Sequence, residues 1–193
     1  MLLHEKLKDK KIFLASQSPR RQELLKGLGI NFEIIKIEAD ESFPENLTHE
    51  KITEYISGNK ALSIQNLTEN QIVITADTLV WLENSVLGKP KDYKDAFQMI
   101  RNMSGKIHEV FTSVTIQSKD KSITFSEATE VVFDEFSDEE IDFYIQNFQP
   151  FDKAGAYGIQ DWLGYAKIRK INGCYYNVMG LPLRKLYNEL LLF

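Results

Sequence analysis

Short apolar runs alternate with amphipathic segments from the start of the chain. The apolar residues 12–15 predict a strand that ends in a turn. Ser18 and Pro19 then predict the start of a helix, because Ser is a good N-cap and Pro is pre-organised for the first helical position. We expect this helix to continue to about Leu28, with Gly29 as its C-cap.

The middle of the chain predicts two further strands and a helix between them. Residues 32–37 predict a strand, and the stretch from Thr48 to Leu67 predicts a helix capped by Thr48, because its apolar residues roughly form one stripe. Residues 71–82, QIVITADTLVWL, are apolar and rich in β-branched residues. They predict a long strand whose only charge is Asp77.

The second half of the chain predicts a hairpin between two helices. Residues 93–103 predict a helix. Two long strands, near residues 109–117 and 122–133, are expected to form a hairpin around the sequence SKDKS. Ser137 predicts the start of the next helix, with Glu140 at the capping-box position.

The remaining segments complete an alternating order of strands and helices. Residues 84–92, NSVLGKPKD, predict a turn, a short strand and a loop, and residues 151–160 predict an irregular segment that contains glycines. Residues 165–171 predict a strand, and residues 181–192 predict a final helix. This order, with one hairpin, predicts an α/β protein with a mixed sheet.

The composition excludes several classes of protein. Of the 193 residues, 43% are hydrophobic and 26% are charged, which favours one globular domain over residues 1–193 rather than a disordered chain. The net charge of −5 argues against broad binding to nucleic acid or to an anionic membrane, because both need a dominant basic surface. No apolar run approaches the roughly 20 residues that span a bilayer.

The N-terminus and the single cysteine favour a cytoplasmic protein. Cys174 is the only cysteine, so no internal disulfide can form, which fits a reducing compartment. Residues 1–11, MLLHEKLKDKK, form an N-terminal extension that is too polar to be a signal peptide.

Two arginines follow the predicted helix start. Arg20 and Arg21 add positive charge where the helix dipole is already positive, which is unfavourable in the protein alone. A phosphate ligand would explain them, because helix N-termini and guanidinium groups both bind phosphate oxygens. The alternative is that both are solvated surface residues, and this stretch alone leaves the two interpretations even.

Asp77 is a carboxylate between apolar residues of a predicted strand. Because a buried unpaired charge is unfavourable, we expect it to face a site where a metal ion or water meets it. The alternative is a carboxylate that accepts backbone N–H groups in a bulge, and we favour the functional interpretation. Thr78 points to the opposite face, or towards the site if the strand ends there.

Further candidate residues lie in predicted loops. Lys89, between a glycine and a proline, suits a positioned phosphate ligand. Asp40 and Glu41 are hard oxygen donors suited to Mg²⁺ or Mn²⁺, although such pairs are most often an ordinary acidic loop. The segment KAGAYGIQ supplies Lys153 and Gln160. An amide can donate and accept at once, so Gln160 either reads the edge of a base or makes an ordinary loop hydrogen bond.

Other polar residues and glycines are less informative. His108 has no second His or Cys at a metal-binding spacing and is predicted to be structural. The sequence has no Walker A motif and no GxGxxG fingerprint, so its glycines are not expected to cradle a dinucleotide in the usual way.

Seven motifs together resemble the Maf family of nucleoside triphosphate pyrophosphatases. They are LASQSPRRQELL, ADES, ADTLV, LGKPKD, MSGKIHEVFTSV, DKAGAYGIQ and NVMGLPL, and they occur in the family's order from Ile12 to Leu183. Each motif alone is weak, but the whole set is very specific. The resemblance implies an elongated single-domain α/β fold with a central mixed sheet and a nucleotide cleft, related to the inosine triphosphatase architecture.

The resemblance also implies a reaction and its residues. A nucleoside triphosphate and water give the monophosphate and pyrophosphate, with a divalent cation, Mg²⁺ or Mn²⁺, as cofactor. The family's proposed proton acceptor falls on Asp77, and its specificity positions fall on Arg20, Thr78 and Gln160. The metal is expected at Glu41 and Asp77. The expected phosphate ligands are Ser18, Arg20, Arg21, Lys60 and Lys89.

The AYGIQ motif resembles the branch of the family that acts on dTTP and UTP. The 7-methyl-GTP branch, which usually has an acidic residue in place of the glutamine, stays open as an alternative. A regulator that binds nucleotide is a second alternative, because the family is also associated with inhibition of septum formation in bacteria. The expected partners are the nucleotide and a second copy of the chain, with no nucleic acid and no membrane.

Several positions depart from the family pattern, and two of these departures bear on the site. Asp161 stands where a glycine usually follows the glutamine, which leaves the fine specificity open. Gly58 is expected to weaken the helix that carries Lys60, where relatives more often have Leu-Ala before the lysine.

Overall fold

The computed structural model describes residues 2–193, which form eight α-helices and seven β-strands. The helices are α1 (Leu3–Lys6), α2 (Pro19–Gly27), α3 (Glu50–Leu62), α4 (Tyr93–Met103), α5 (Asp138–Phe148), α6 (Trp162–Lys167), α7 (Tyr175–Val178) and α8 (Leu183–Leu190). The strands are β1 (Lys11–Leu14), β2 (Phe32–Ile34), β3 (Gln71–Leu82), β4 (Ser85–Leu87), β5 (Ile107–Gln117), β6 (Ser122–Phe133) and β7 (Ile168–Asn172). None of these described helices is long and apolar enough to cross a membrane.

All seven strands belong to one mixed sheet. The strand order is β2-β1-β3-β5-β6-β7, and β4 pairs with β3. β1 runs parallel to both β2 and β3, whereas β4 is antiparallel to β3 and β7 is antiparallel to β6. The predicted α/β class with a central mixed sheet is therefore confirmed.

Three of the long elements lie where the sequence predicts them. β3, α4 and β6 have the predicted bounds. The predicted hairpin is confirmed, since β5 and β6 are neighbours and the Ser118 N–H donates to the Lys121 carbonyl at 2.7 Å. The capping box of α5 is also confirmed. The Ser137 hydroxyl accepts from the Glu140 N–H, and the Glu140 carboxylate accepts from the Ser137 N–H.

The helix predicted from Thr48 to Leu67 is wrong at both ends. Thr48 is not the cap, because α3 begins only after His49, whose φ of 53° lies in the left-handed region. The helix ends after Leu62, where the Ser63 hydroxyl donates to the Lys60 carbonyl at 2.7 Å and satisfies one of the last carbonyls. The apolar stripe continues past this point, but the helix does not.

The strand predicted at residues 165–171 is wrong in its first part. Residues up to Lys167 belong to α6, whose first turn closes when the Tyr165 N–H donates to the Asp161 carbonyl at 3.2 Å. β7 begins at Ile168 and pairs with β6. β2 and α8 are also shorter than predicted.

The contacts group the chain into two compact units. The first contains Met1–Asp77, Thr112–Glu127 and Gly180–Phe193, and the second contains Thr78–Phe111 and Ala128–Met179. The single domain expected from the sequence stays a prediction. Each unit buries apolar side chains of its own strands and helices. In the first unit these include Ile12, Leu14, Leu25, Ile52, Ile72, Ile74, Ile116 and Leu186.

A row of hydroxyl side chains joins α3 to the β5–β6 hairpin in the first unit. Thr53 Oγ1 lies 2.6 Å from Ser113 Oγ, which lies 2.8 Å from Ser126 Oγ. The Ser126 hydroxyl donates to the Glu54 carboxylate at 2.8 Å. The carboxylate accepts at one end of the row, so the Ser126 hydroxyl is left to accept from Ser113.

Ser57 continues this hydroxyl row one turn further along α3. Its hydroxyl lies 3.2 Å from Thr115 Oγ1, which lies 2.8 Å from Thr124 Oγ1. Its carbonyl accepts from the Thr75 hydroxyl of β3 at 2.7 Å. Because these buried polar groups find partners, they hold the last turn of α3, which carries Lys60, against the sheet.

An aromatic cluster packs inside the second unit. The rings of Phe133 and His108 are 4.8 Å apart, and His108 Nε2 lies 2.7 Å from the Tyr157 hydroxyl. Burial lowers the pKa of His108 to about 3, so the imidazole is neutral at neutral pH. This buried position agrees with the structural role predicted for His108.

Candidate functional site

Lys60 brings two carboxylates together in the first unit. Its Nζ lies 2.8 Å from Glu41 Oε1 and 2.8 Å from Asp77 Oδ1. The side chains of Lys60 and Asp77 are 10% and 14% exposed, whereas that of Glu41 is 53% exposed. The ammonium therefore neutralises a nearly buried carboxylate and connects it to a more exposed one.

Asp77 and Thr78 interrupt the buried run of β3, which resumes at Leu79 and Val80. Ile72 to Ala76 are all buried, and Asp77 is the first half-buried residue after them. Its carboxylate is paired with the ammonium of Lys60 on α3, and not with backbone N–H groups of a bulge as the alternative interpretation supposed. A run of apolar β-branched residues thus forms the strand, and it places one carboxylate at a short, less buried break within it.

The surroundings of Asp77 change its affinity for a proton. Burial raises the pKa of Asp77 above the usual range of a carboxyl group, and the charges of Lys60 and Arg21 oppose this rise. A carboxylate with a raised pKa accepts a proton more readily near neutral pH, as a general base must.

Arg21 donates to two backbone carbonyls. Its Nε lies 2.9 Å from the Gly180 oxygen, and one terminal nitrogen lies 2.9 Å from the Ala76 oxygen. Burial lowers the pKa of Arg21, and the charge of Asp77 opposes this effect. Because Ala76 precedes Asp77, this guanidinium also fixes the backbone beside the carboxylate, a structural role that neither sequence interpretation included.

Ser18 and Arg20 lie at the N-terminus of α2. Ser18 is the N-cap, as predicted, but its hydroxyl makes no capping hydrogen bond. Arg20 lies close enough to Arg21 to lower the pKa of that neighbour by charge repulsion. Two positive charges and an N-terminal turn are thus gathered in the unit that holds Asp77.

The carboxylates fit a divalent cation that binds together with a nucleotide. Among residues 2–193, no three His, Cys, Asp or Glu side chains form a group that could hold a metal ion. Mg²⁺, however, commonly takes one or two carboxylates and completes its shell with water and phosphate oxygens. Glu41 and Asp77 both contact the Lys60 ammonium, so the two carboxylates lie close together and supply the one or two carboxylates of this donor set. Asp40 does not join them, since its oxygens accept from the Ser42 N–H and hydroxyl.

The remaining candidate residues belong to the second unit. Thr78 is half-buried in β3, and Lys89 is exposed in the loop after β4. That loop is tied down at Gly88, whose carbonyl accepts from the Gly155 N–H at 2.9 Å. The amide oxygen of Gln160 is buried and accepts no hydrogen bond within the described residues. Unpaired buried acceptors are uncommon, and this one suits a side chain whose partner is a ligand.

Tyr144 binds Gly158 and Asp161, on either side of Gln160, and the sequence did not identify it as a functional candidate. The Tyr144 hydroxyl lies 3.1 Å from Asp161 Oδ2 and 3.0 Å from the Gly158 nitrogen. In the sequence, Tyr144 lies on the apolar face of α5 beside Ile145 and is indistinguishable from other core residues. The only available signal is that a buried tyrosine hydroxyl needs a polar partner.

Known proteins resemble this chain over nearly its whole length. The family described as Maf-like protein matches residues 11–193. A protein named dTTP/UTP pyrophosphatase from Flavobacterium psychrophilum is 48% identical over 191 residues, which cover 98% of each chain. Proteins of the same name from Phocaeicola vulgatus and Flavobacterium johnsoniae are 49% and 47% identical over 188 and 190 residues. These matches cover 96% and 98% of this chain and 97% and 98% of the two relatives.

Proposed function

Because the chain belongs to the Maf family, we propose that it is a pyrophosphatase that hydrolyses dTTP and UTP to the monophosphate and pyrophosphate. The observation that carries the proposal is the contact of Lys60 with both Glu41 and Asp77, whose side chains lie in or beside family motifs. The names of the relatives support the choice of dTTP and UTP.

In the proposed reaction, the Asp77 carboxylate accepts a proton from the water that attacks the α-phosphorus. The new P–O bond forms as the bond from the α-phosphorus to the pyrophosphate oxygen breaks. The raised pKa of Asp77 supports this role, because it makes the carboxylate a stronger base. Burial also holds the carboxylate in one place, so that it does not need to reorganise during the reaction.

The phosphate groups are assigned to cationic side chains and to one hydroxyl. The side chains proposed to bind the phosphate groups are those of Ser18, Arg20, Arg21, Lys60 and Lys89. In the first unit, Lys60 is held between two carboxylates and Arg21 by two carbonyls, so both cations are already oriented when the substrate arrives. Ser18 keeps a hydroxyl that no capping bond uses.

A divalent cation, Mg²⁺ or Mn²⁺, is the proposed cofactor. Glu41 and Asp77 would hold it, and it would supply positive charge that stabilises the negative charge on the leaving pyrophosphate. The assignment is supported by the chemistry of the two carboxylates, because Mg²⁺ and Mn²⁺ both favour hard oxygen donors.

Base selection is assigned to Gln160, with Thr78 and Arg20. Uracil and thymine each present one N–H donor between two carbonyl acceptors, and a carboxamide can pair with such an edge by donating and accepting. The buried amide oxygen of Gln160, which accepts no hydrogen bond from the described residues, supports this role.

The setting of the proposed reaction is the cytoplasm, where the substrates and a reducing environment coexist. The single cysteine supports this location. A second copy of the chain is the proposed protein partner, and the net charge of −5 supports the exclusion of nucleic acid and anionic membranes as partners.

A substrate panel tests the function. Pyrophosphate release would be measured with Mg²⁺ from dTTP, UTP, CTP, dATP, GTP and 7-methyl-GTP, for the native chain and for Asp77→Asn in parallel. Preferred turnover of dTTP and UTP that is lost in the variant is the expected result. Preferred turnover of 7-methyl-GTP would instead assign the chain to the branch of the family that acts on this nucleotide. Binding without turnover would favour a nucleotide-binding regulator of septum formation.

A further inference from the structure

The turn that carries Gln160 is closed by one tyrosine hydroxyl. The Asp161 N–H donates to the Gly158 carbonyl at 3.1 Å, which makes Gly158–Asp161 a four-residue turn. The Tyr144 hydroxyl accepts from the Gly158 N–H at 3.0 Å and donates to Asp161 Oδ2 at 3.1 Å. Both ends of the turn are therefore fastened to one fully buried side chain of α5.

Lys153 is a second partner of the Asp161 carboxylate. Its Nζ lies 3.7 Å from Asp161 Oδ2 and 2.9 Å from Asp152 Oδ1. The side chains of Lys153 and Asp161 are only 12% and 18% exposed. A Cβ added to Gly158 would collide with the Asp161 carboxylate and lie 3.1 Å from Lys153 Cε, so the ion pair packs directly over this glycine.

The residue between Gly158 and Gln160 is held as firmly as the two ends of the turn. Ile159 is buried, and its backbone lies against Gly164 of α6 so closely that a Cβ on Gly164 would overlap the Ile159 carbonyl. The buried amide oxygen of Gln160, by contrast, accepts no hydrogen bond from the described residues. The main chain of Gln160 is therefore fixed on both sides.

We propose that Tyr144, Asp161 and Lys153 form a clasp that positions Gln160, and that this clasp sets the discrimination of uracil and thymine nucleotides against cytosine nucleotides. The inference rests on the base-reading role proposed above for Gln160. Asp161, which departs from the glycine usual in the family, gives this chain a clasp built on a carboxylate.

The chemistry of the bases explains why Gln160 needs the clasp. Uracil and thymine present an N3–H donor next to the carbonyl at C4, whereas cytosine presents an N3 acceptor next to an amino group. A carboxamide that rotates freely matches both patterns, because a half-turn exchanges its oxygen and its NH₂. Discrimination therefore requires that the surroundings hold the amide in one place and one orientation, and fixing its backbone is the first requirement.

Tyr144→Phe is the sharpest test, because it removes the hydroxyl and preserves the buried ring. The kcat and KM would be measured for dTTP, UTP and dCTP. We expect KM for dTTP and UTP to rise and the ratio of kcat/KM for dTTP to that for dCTP to fall about tenfold, as when one hydrogen bond to substrate is weakened. Asp161→Asn, which keeps the shape but loses the charge attracted by Lys153, should lower the ratio in the same direction.

Two further variants separate positioning from general stability. Tyr93→Phe is the matched control, because it removes a hydroxyl that donates to Asp142 at 2.6 Å at the surface, outside the clasp, and it should leave the ratio unchanged. Gln160→Ala should lower the ratio at least as far as Tyr144→Phe. The double variant Tyr144→Phe/Gln160→Ala should lower it no further, because the clasp acts only through the amide.

The results distinguish a failure of the clasp proposal from a failure of the base-reading role proposed for Gln160. If Gln160→Ala lowers the ratio but Tyr144→Phe does not, the clasp is overturned and the role of Gln160 stands. If Tyr144→Phe slows all nucleotides equally and lowers the melting temperature, its role is structural and the positioning inference fails. If Gln160→Ala leaves the ratio unchanged, the base-reading role of Gln160 is wrong. The clasp proposal, which rests on that role, is then wrong as well.

Discussion

The ammonium of Lys60 lies 2.8 Å from Oδ1 of Asp77, and both side chains are almost completely buried. The two charges depend on each other unequally. Loss of Lys60 removes the cation that contacts Asp77, whereas Lys60 without Asp77 still contacts Glu41. The pair therefore combines a structural role with the chemistry proposed for Asp77. Experiments on either residue need to measure stability and activity separately.

Asp77→Asn should abolish most of the turnover without unfolding the chain. Asparagine keeps the shape and an oxygen that accepts from Lys60, but it cannot take a proton from water. We expect pyrophosphate release from dTTP to fall by about 10²–10⁴-fold, the usual contribution of a general base. Asp40→Asn is the matched control, because that carboxylate is occupied by Ser42. Near-normal turnover in the Asp77 variant would contradict the catalytic assignment.

Lys60→Met should destabilise the fold, and a second substitution should restore part of the loss. The methionine leaves the Asp77 charge nearly buried without its closest counter-charge, so the free energy of unfolding should fall by about 3 kcal/mol. In Lys60→Met/Asp77→Asn that charge is absent. Urea denaturation should show the double variant to be more stable than Lys60→Met alone. Equal or lower stability of the double variant would mean that the pair is not coupled.

His108 should make the chain sensitive to acid. Burial lowers its pKa to about 3 in the folded state, against 6.5 for the unperturbed group. Below pH 6.5, His108 is therefore protonated in the unfolded chain but stays neutral in the folded chain. The His108 contribution to stability is complete above pH 6.5 and is lost as the pH falls towards 3. Its slope approaches about 1.4 kcal/mol per pH unit.

The measurement that isolates this effect compares stability at several pH values between 6 and 4. His108→Gln should show a shallower loss than the native chain, whatever its stability at neutral pH. Tyr157→Phe removes the hydrogen-bond partner but keeps the buried imidazole, so it should retain the native slope. Identical slopes for the native chain and His108→Gln would refute the assignment.

Gly58→Ala should stabilise the chain. Gly58 lies inside α3, and a Cβ added to it meets no atom within 4 Å. Alanine in a helix interior is favoured over glycine by about 1 kcal/mol, so the melting temperature should rise. Gly155→Ala is the contrasting variant, because Gly155 has a φ of +67° and its Cβ would lie 2.9 Å from Val80 Cγ2. That substitution should destabilise, and a loss of stability in Gly58→Ala would show that α3 has no room there.

The sequence predicted elements whose signal is local and strong. β3 was located to the residue, because a long apolar run rich in β-branched residues is seldom compatible with anything but a buried strand. The end of α3 was not, because the apolar stripe continues to Ile64 and Leu67. The helix stops where the Ser63 hydroxyl bonds to the Lys60 carbonyl. Hydrophobic periodicity does not show whether a helix ends at such a hydrogen bond or continues for another turn.

The sequence also named the candidate residues but not their partners. Glu41, Lys60 and Asp77 are all candidates in the sequence, but their meeting point depends on how α3 and the loop after β2 lie against β3. For Arg21, phosphate and solvent were weighed, but not the backbone carbonyls that hold it. A guanidinium has five donors, and the sequence does not tell which of them bind the protein itself.

The hydroxyl row between α3 and the β5–β6 hairpin restricts sliding of the helix along its axis. A displacement of one turn, about 5.4 Å, would part Thr53 from Ser113 and Ser57 from Thr115 together. A purely apolar contact can repack through many small offsets, but directional bonds between buried hydroxyls are either made or lost. α3 thus has a single longitudinal register, and the depth at which Lys60 sits is set by hydroxyl groups one and two turns away from it.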